Sequence, residues 1–234
     1  MEQNLSNLIR PMSVVAQEAI NYISGRREHS ITSLKTRWAK FNKQCMGGIE
    51  PNTVYTIAGI SGSGKSSFAN EISTDIIDLN PGEEIVILIF SLEMVGFRQV
   101  GRTLSSKLRK TTSTLYSSET DLDDDTFRKV ISVSNQLKEY PIWFVDNPTT
   151  PKEAEDIIKY FYNTYIKGTD KHFVIMYDHA LLTKPIGSVI ETMQELERVF
   201  ISAKKYPMTS VLQLAQMNRN IESPERINNP LSHY

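Results

Sequence analysis

Eight consecutive residues carry a pattern that chemistry can use. Gly59-Ile60-Ser61-Gly62-Ser63-Gly64-Lys65-Ser66 reads G-x-x-x-x-G-K-[ST]. Glycines let the backbone take positive φ and bring several N–H groups onto one anion, while a helix starting there points its dipole at the same place. In such a loop Lys65 reaches the β- and γ-phosphates of a nucleotide and the Ser66 hydroxyl holds Mg²⁺. The expected phosphate contacts run from Gly59 to Ser67. A Gly/Ser-rich turn with a surface lysine is the plain alternative, but it leaves the motif's place between a strand and a helix unexplained. The motif predicts binding of a nucleoside triphosphate.

Hydrolysing that nucleotide needs three further groups. A carboxylate at the end of a buried strand must hold the magnesium's shell, because ligands collect at strand C-termini in open α/β sheets. Asp178, closing the apolar run Phe173–Tyr177, supplies it; Asp146, closing Ile142–Val145, is the competitor. A base must orient and polarise the attacking water, and Glu93, just past Ile85–Ser91, stands where one is required. Finally, an amide at a strand end can hydrogen-bond the γ-phosphate and report its loss. Gln216 ends its strand, whereas Gln213 falls inside the same strand.

The elements that must position these groups are legible in hydrophobic periodicity. Val54–Ala58 is a strand, followed by a helix with Phe68, Ile72 and Ile76 in register and a turn at Asn80-Pro81-Gly82. The continuous apolar run Ile85–Phe90 fits a parallel strand buried on both faces. A helix with Val100, Leu104 and Leu108 follows, then a strand at Ile142–Val145 and a helix with Ala154, Ile157, Ile158, Phe161 and Tyr165. Phe173–Tyr177 is the next strand, a helix with Met193, Leu196, Phe200 and Ala203 comes after it, and Val211–Ala215 is the fifth strand. This alternation predicts an α/β fold with a mostly parallel central sheet flanked by helices.

Ahead of that pattern, Met12, Val15, Ala16, Ala19, Ile20 and Ile23 mark a helix over residues 11–24, with Gly25 as its stop and Arg26-Arg27-Glu28-His29 as a charged hinge. One amphipathic helix cannot bury its own stripe, so it docks on its own domain or on a neighbour. The acidic run Asp123-Asp124-Asp125 reads as a helix start, where carboxylates cap free N–H groups. His29, His172, His179 and His233 show no metal-ligand spacing with one another or with Cys45, so no structural zinc is expected.

Composition narrows the class further. With 26 Lys+Arg against 27 Asp+Glu, a histone-like basic protein is excluded, and nucleic acid would have to be gripped by a local patch or a shared surface. The longest clean apolar run has six residues, Ile85–Phe90, against the ~20 a membrane span needs. The polar start MEQNLSNLIR lacks a signal-peptide core, and a single cysteine suits a reducing compartment.

Together these pieces resemble the RecA-fold ATPase domain of the DnaB-like replicative DNA helicases. Gly47-Gly48-Ile49-Glu50-Pro51, Phe90-Ser91-Leu92-Glu93-Met94 with Arg102 and Leu104 beyond it, Asp178 as a Walker B aspartate, and Gln216-Met217-Asn218-Arg219 are each similar to a family segment. The resemblance covers about residues 30–222 and implies a RecA-like P-loop NTPase using ATP and Mg²⁺, with Glu93 as catalytic base. It implies a homo-hexamer closed by residues 11–24 as a linker helix, single-stranded DNA in the channel, and a primase or helicase loader as partner. The organisation expected is a linker helix in 1–29 and an ATPase domain over 30–234, in bacterial cytoplasm or host cytoplasm if phage-encoded. Lys184 reads equally as a DNA contact or a solvated lysine.

Three departures from the family stand out. His179-Ala180-Leu181-Leu182 replaces the more usual Tyr-Leu-Gln-Leu; the resemblance leads to the expectation of a separate N-terminal primase-interacting domain outside the 234 residues given; and it places the family's last strands and arginine finger beyond Tyr234. Neither Arg219 nor Arg226 matches the finger's place, so poor hydrolysis by this stretch alone is expected, a finger in trans being worth about 10³–10⁵ in rate. Two other readings remain open: a RecA-like recombinase or ATP-driven assembly switch, and a P-loop small-molecule kinase.

Overall fold

The computed structural model describes residues 9–119 and 121–217. The chain opens with α1 (Met12–Arg27) and the short α2 (Ala39–Gln44), and then alternates strands with helices. In order these are β1 (Val54–Gly59), α3 (Lys65–Asp78), β2 (Ile85–Ser91), α4 (Gly96–Leu108), α5 (Thr112–Tyr116) and α6 (Asp124–Leu137). There follow β3 (Ile142–Val145), α7 (Pro151–Phe161), a π-helical turn at Tyr162–Ile166, β4 (His172–Asp178), α8 (Val189–Ala203) and β5 (Thr209–Gln216).

The five strands form one sheet in the order β1-β5-β4-β2-β3, and every pairing is parallel. Parallel pairing brings all strand C-termini to one edge. Register then aligns Ser91 with Asp178 and Gly59 with Gln216, so four strands end together. The central β2 and β4 are buried along their whole length, which is why they read as unbroken apolar runs.

Period-two alternation divides the core. Val86, Leu88 and Phe90 with Phe173, Ile175 and Tyr177 face α7 and α8, meeting Ala154, Ile158, Phe161, Leu196 and Phe200. Ile85, Ile87 and Ile89 with Val174 and Met176 face α3, meeting Ala69, Ile72 and Ile76. Each such fully buried aliphatic contributes about 1.5–3 kcal/mol relative to exposure. On the α3 side the sheet is closed below by a bridge between Leu34 and Ile49, both buried. Gly48 makes that bridge possible, since a Cβ there would lie 2.1 Å from the Leu34 carbonyl oxygen.

The first helix corrects two expectations. It runs on to Arg27, through Gly25, because Gly25 is needed for close packing rather than for a turn: a Cβ would come within 2.7 Å of Ile31 Cδ1. The reversal falls at His29, with φ 59°. Nor do Arg26–His29 form a free hinge. Arg26 lies inside the helix and donates to Ser33 Oγ (2.8 Å) and to the Met46 carbonyl (2.5 Å). Tyr22 donates to Glu50 Oε1 at 2.5 Å, and burial with that carboxylate beside it pushes the phenol up to about 12. Among the described residues only the last turns of the helix have docking partners, while Met12, Ile20 and Ile23 are exposed.

The acidic run is a helix start: Asp123 accepts from the Thr126 N–H (2.8 Å) and hydroxyl (2.7 Å) at the head of α6. Among the described residues no cluster of three His, Cys, Asp or Glu could hold a metal, and no helix is long and apolar enough to cross a membrane. His233, Asn218, Arg219 and Arg226 lie outside the described residues.

Candidate active site

Between the end of β1 and the start of α3 the chain makes the glycine-rich turn at the C-terminal edge of the sheet. Gly62 (φ 79°) and Gly64 (φ 87°) take left-handed backbone that a side chain would strain. Gly59 acts otherwise, for a Cβ there would approach Ser63 Oγ to 2.6 Å. Gly64 is also the N-cap of α3, and among the described residues no side chain caps that helix. Its first N–H groups are therefore free to meet an anion. Lys65 folds back over the turn, its Nζ donating to the Ile60 carbonyl at 2.9 Å.

A cleft of about 250 Å³ opens here, lined by Ser61, Gly62, Gly64, Lys65, Ser66 and Ser67 on one side. Glu93, Arg102, His179 and Gln216 line the other. Glu93 stands two residues beyond β2 with its side chain 54% exposed, and its loop is tied to β4 where the Leu92 N–H donates to the Asp178 carbonyl at 2.8 Å. Gln216 is exposed beside Gly59, whose carbonyl accepts from the next N–H, Met217, at 3.0 Å.

Asp178 lies beneath the cleft, 6% exposed, with Oδ1 enclosed and unpaired. Burial holds its carboxyl above the usual range; the nearby Ser66 hydroxyl opposes the rise, and the charge of Glu93 adds to it. An unpaired buried carboxylate oxygen next to a serine hydroxyl is a donor set suited to a hard cation such as Mg²⁺. Three groups the sequence reading places elsewhere or weighs as rivals are accounted for. Asp146 Oδ1 accepts from the Gly96 N–H at 3.0 Å and so caps α4. Gln213 is buried and donates to Thr56 Oγ1 at 3.0 Å. Lys184 sits 4.0 Å from Glu153 Oε2, half-exposed.

His179 and Arg102 line the cleft although sequence reasoning gave them no site role. The rule that found Asp178, a polar residue at a buried strand's end, also applies to its neighbour His179. Arg102 had only its spacing after Glu93 as a signal. A larger cleft, about 480 Å³ and lined by Arg26, Thr32, Lys35, Asn80 and Glu83, opens at the opposite edge of the sheet.

Against known proteins, the family described as DnaB-like helicase C terminal domain matches residues 33–232. The chain belongs to that family. The fold agrees with two solved structures. One is an ATPase domain, with TM-score 0.72 and 17% identity, over 88% of this chain and 72% of that one. The other is a DnaB-like replicative helicase described with its interactions with primase, with TM-score 0.70 and 17% identity, over 88% of this chain and 49% of that one. This DnaB-like domain thus spans about half the length of the second, and at such identity the likeness concerns the RecA-like fold. Comparison with curated proteins gives no match.

Proposed function

We propose that this chain is the ATP-hydrolysing motor domain of a replicative DNA helicase. The observation that carries the reading is the convergence of Lys65, Ser66, Glu93 and Gln216 on one cleft with Asp178 beneath it. Lys65 and the N–H groups of Gly62 to Ser67 hold the β- and γ-phosphates. Glu93 orients a water whose oxygen bonds to the γ-phosphorus as the bond to the β–γ bridging oxygen breaks. The water's proton passes to the Glu93 carboxylate, and ADP and phosphate leave. Ser66 and Asp178 would hold Mg²⁺, which when bound neutralises charge on the phosphates. Gln216 hydrogen-bonds the γ-phosphate, and the Met217–Gly59 bond carries its loss into the chain that follows.

The exposed apolar residues of α1 support a linker helix that docks on the next copy, ahead of an ATPase domain beginning near residue 30. Six copies would form a ring around single-stranded DNA, each giving few cations to a shared surface, in a cytoplasm and with a primase or loader as partner. Strand separation on a forked DNA distinguishes this motor from a recombinase or assembly switch, and phosphate transfer to a nucleoside would select a kinase instead. Particle mass with ATP and single-stranded DNA tests the assembly: six copies are expected, and a persistent monomer overturns the ring.

A further inference from the structure

We infer that His179 is a positioning residue for hydrolysis, its imidazole fixing the Glu93 carboxylate and the water between them. This deepens the ATPase reading and rests on it. His179 follows Asp178 directly and is 8% exposed, yet it lines the phosphate cleft. Its Nε2 stands 4.0 Å from Glu93 Oε2. That gap is too long for a hydrogen bond, but a water about 2.8 Å from both atoms would bridge it at an angle of about 90°.

The ring's other edge is buried: Nδ1 is enclosed in protein without a partner among the described residues, so Nε2 is the nitrogen presented to the cleft. Glu93 has the opposite character, with its half-exposed side chain on a loop. Alone, such a carboxylate samples several rotamers, and each costs orientation at the moment of attack. One water away from a buried ring, it gains a second anchor. Backbone supports the pairing, because the Leu92 N–H bond to the Asp178 carbonyl holds the residues before Glu93 and His179 side by side. A buried imidazole with one face unpaired and the other turned to the reaction cleft has no comparable packing explanation.

Calorimetry on the full chain tests this without turnover, using Mg·ADP and Mg·ADP–fluoroaluminate, a mimic of the transferring phosphoryl group with its water in line. We expect His179→Ala to leave ADP affinity within about twofold while weakening the mimic about tenfold, the scale of lost supporting contacts. His179→Gln, which keeps a polar group, should recover part of that loss. Added to Glu93→Gln, His179→Ala should cost nothing more. The inference is overturned if mimic binding is unchanged, if ADP and mimic weaken equally as in a merely structural defect, or if the two substitutions add in full. Failure of the unsubstituted chain to bind ADP would instead sink the ATPase reading, and this inference with it.

Discussion

The two edges of the sheet treat polar groups in opposite ways. At the edge away from the phosphate loop they are paired. Arg37 donates to both oxygens of Asp75 at 2.9 Å from Nε, and its backbone N–H donates to Asp75 Oδ2 at 3.1 Å. Thr32 donates to Glu83 (2.8 Å) with His172 Nε2 3.2 Å from the same hydroxyl, and Asn80 exchanges hydrogen bonds with the Lys35 backbone. At the phosphate edge α3 starts uncapped. The three buried side-chain atoms without partners among the described residues are Gln99 Oε1, Asp178 Oδ1 and His179 Nδ1. Asp178 ends β4 here and His179 follows it, while Gln99 lines one small void with Asp178. Leaving a buried polar atom unpaired costs about 1–3 kcal/mol. One edge spends its hydrogen bonds on stability, and the other leaves them open where the nucleotide is proposed to bind.

The largest effects expected lie at the unpaired edge. Glu93→Gln keeps the shape but removes the carboxylate proposed as base, so ATP hydrolysis should fall about 10²–10⁴-fold with nucleotide affinity within about twofold, as read by phosphate release and calorimetry. Hydrolysis that survives this change would break the assignment of the base. Lys65→Ala removes the ammonium over the loop and should weaken ATP binding about 10²-fold, the worth of two charge-assisted hydrogen bonds. Binding undiminished by it would show the cleft to be an ordinary turn.

Much of this edge was legible in the sequence, because the signals are local: the glycine-rich run, the apolar runs of β2 and β4, and carboxylates where they end. What the sequence withheld is strand order. Glu93 and Asp146 carry the same signal, an acid after an apolar strand, yet β2 lies next to β4 while β3 is the edge strand farthest from β1, so of the two only Glu93 lines the cleft at the loop. Helix faces were also hidden. The periodicity of Val100, Leu104 and Leu108 located α4, but its buried face holds Gln99, Thr103 and Ser105, joined to α3 through Asn70 Nδ2 and Thr103 Oγ1 at 3.0 Å. Gly25 misled because glycine stops helices at positive φ and permits close packing without it; only the neighbour, Ile31, decides which.

At the paired edge, substitutions should cost stability and spare binding. Asp75 is 5% exposed and accepts from three donor groups of Arg37 and its backbone, so Asp75→Ala should destabilise by about 2–3 kcal/mol, a fall in Tm of roughly 5–10 °C, with ATP affinity within about twofold. A comparable loss of affinity would mean that the edges are coupled. A smaller effect is expected from His172, which burial holds below its usual pKa although Glu83 pulls the other way. The unfolded chain therefore takes up the proton first as pH falls. This contribution to stability is whole above about pH 6.5 and is lost as pH falls toward the folded-state value. Tm should drop more between pH 7 and pH 5 in the natural chain than in His172→Gln; equal slopes would remove His172 from the account.

The smallest effect is the one that separates the two edges most cleanly. Asp178 has its pKa raised by burial, so what it contributes to stability is present below about pH 3.8 and is lost as pH rises through the folded-state value. At neutral pH, without ligand, its charge is a cost. Asp178→Asn removes the charge and keeps the shape, and should raise the ligand-free Tm by about 2–4 °C for each kcal/mol relieved. With Mg·ATP the sign should reverse, because the variant gains less from a cation it can no longer hold. A substitution at the paired edge has no such reversal available, since its partners are already in place. If Asp178→Asn lowered Tm equally with and without ligand, the aspartate would be an ordinary member of the fold, and the edge that carries it would not be held in reserve.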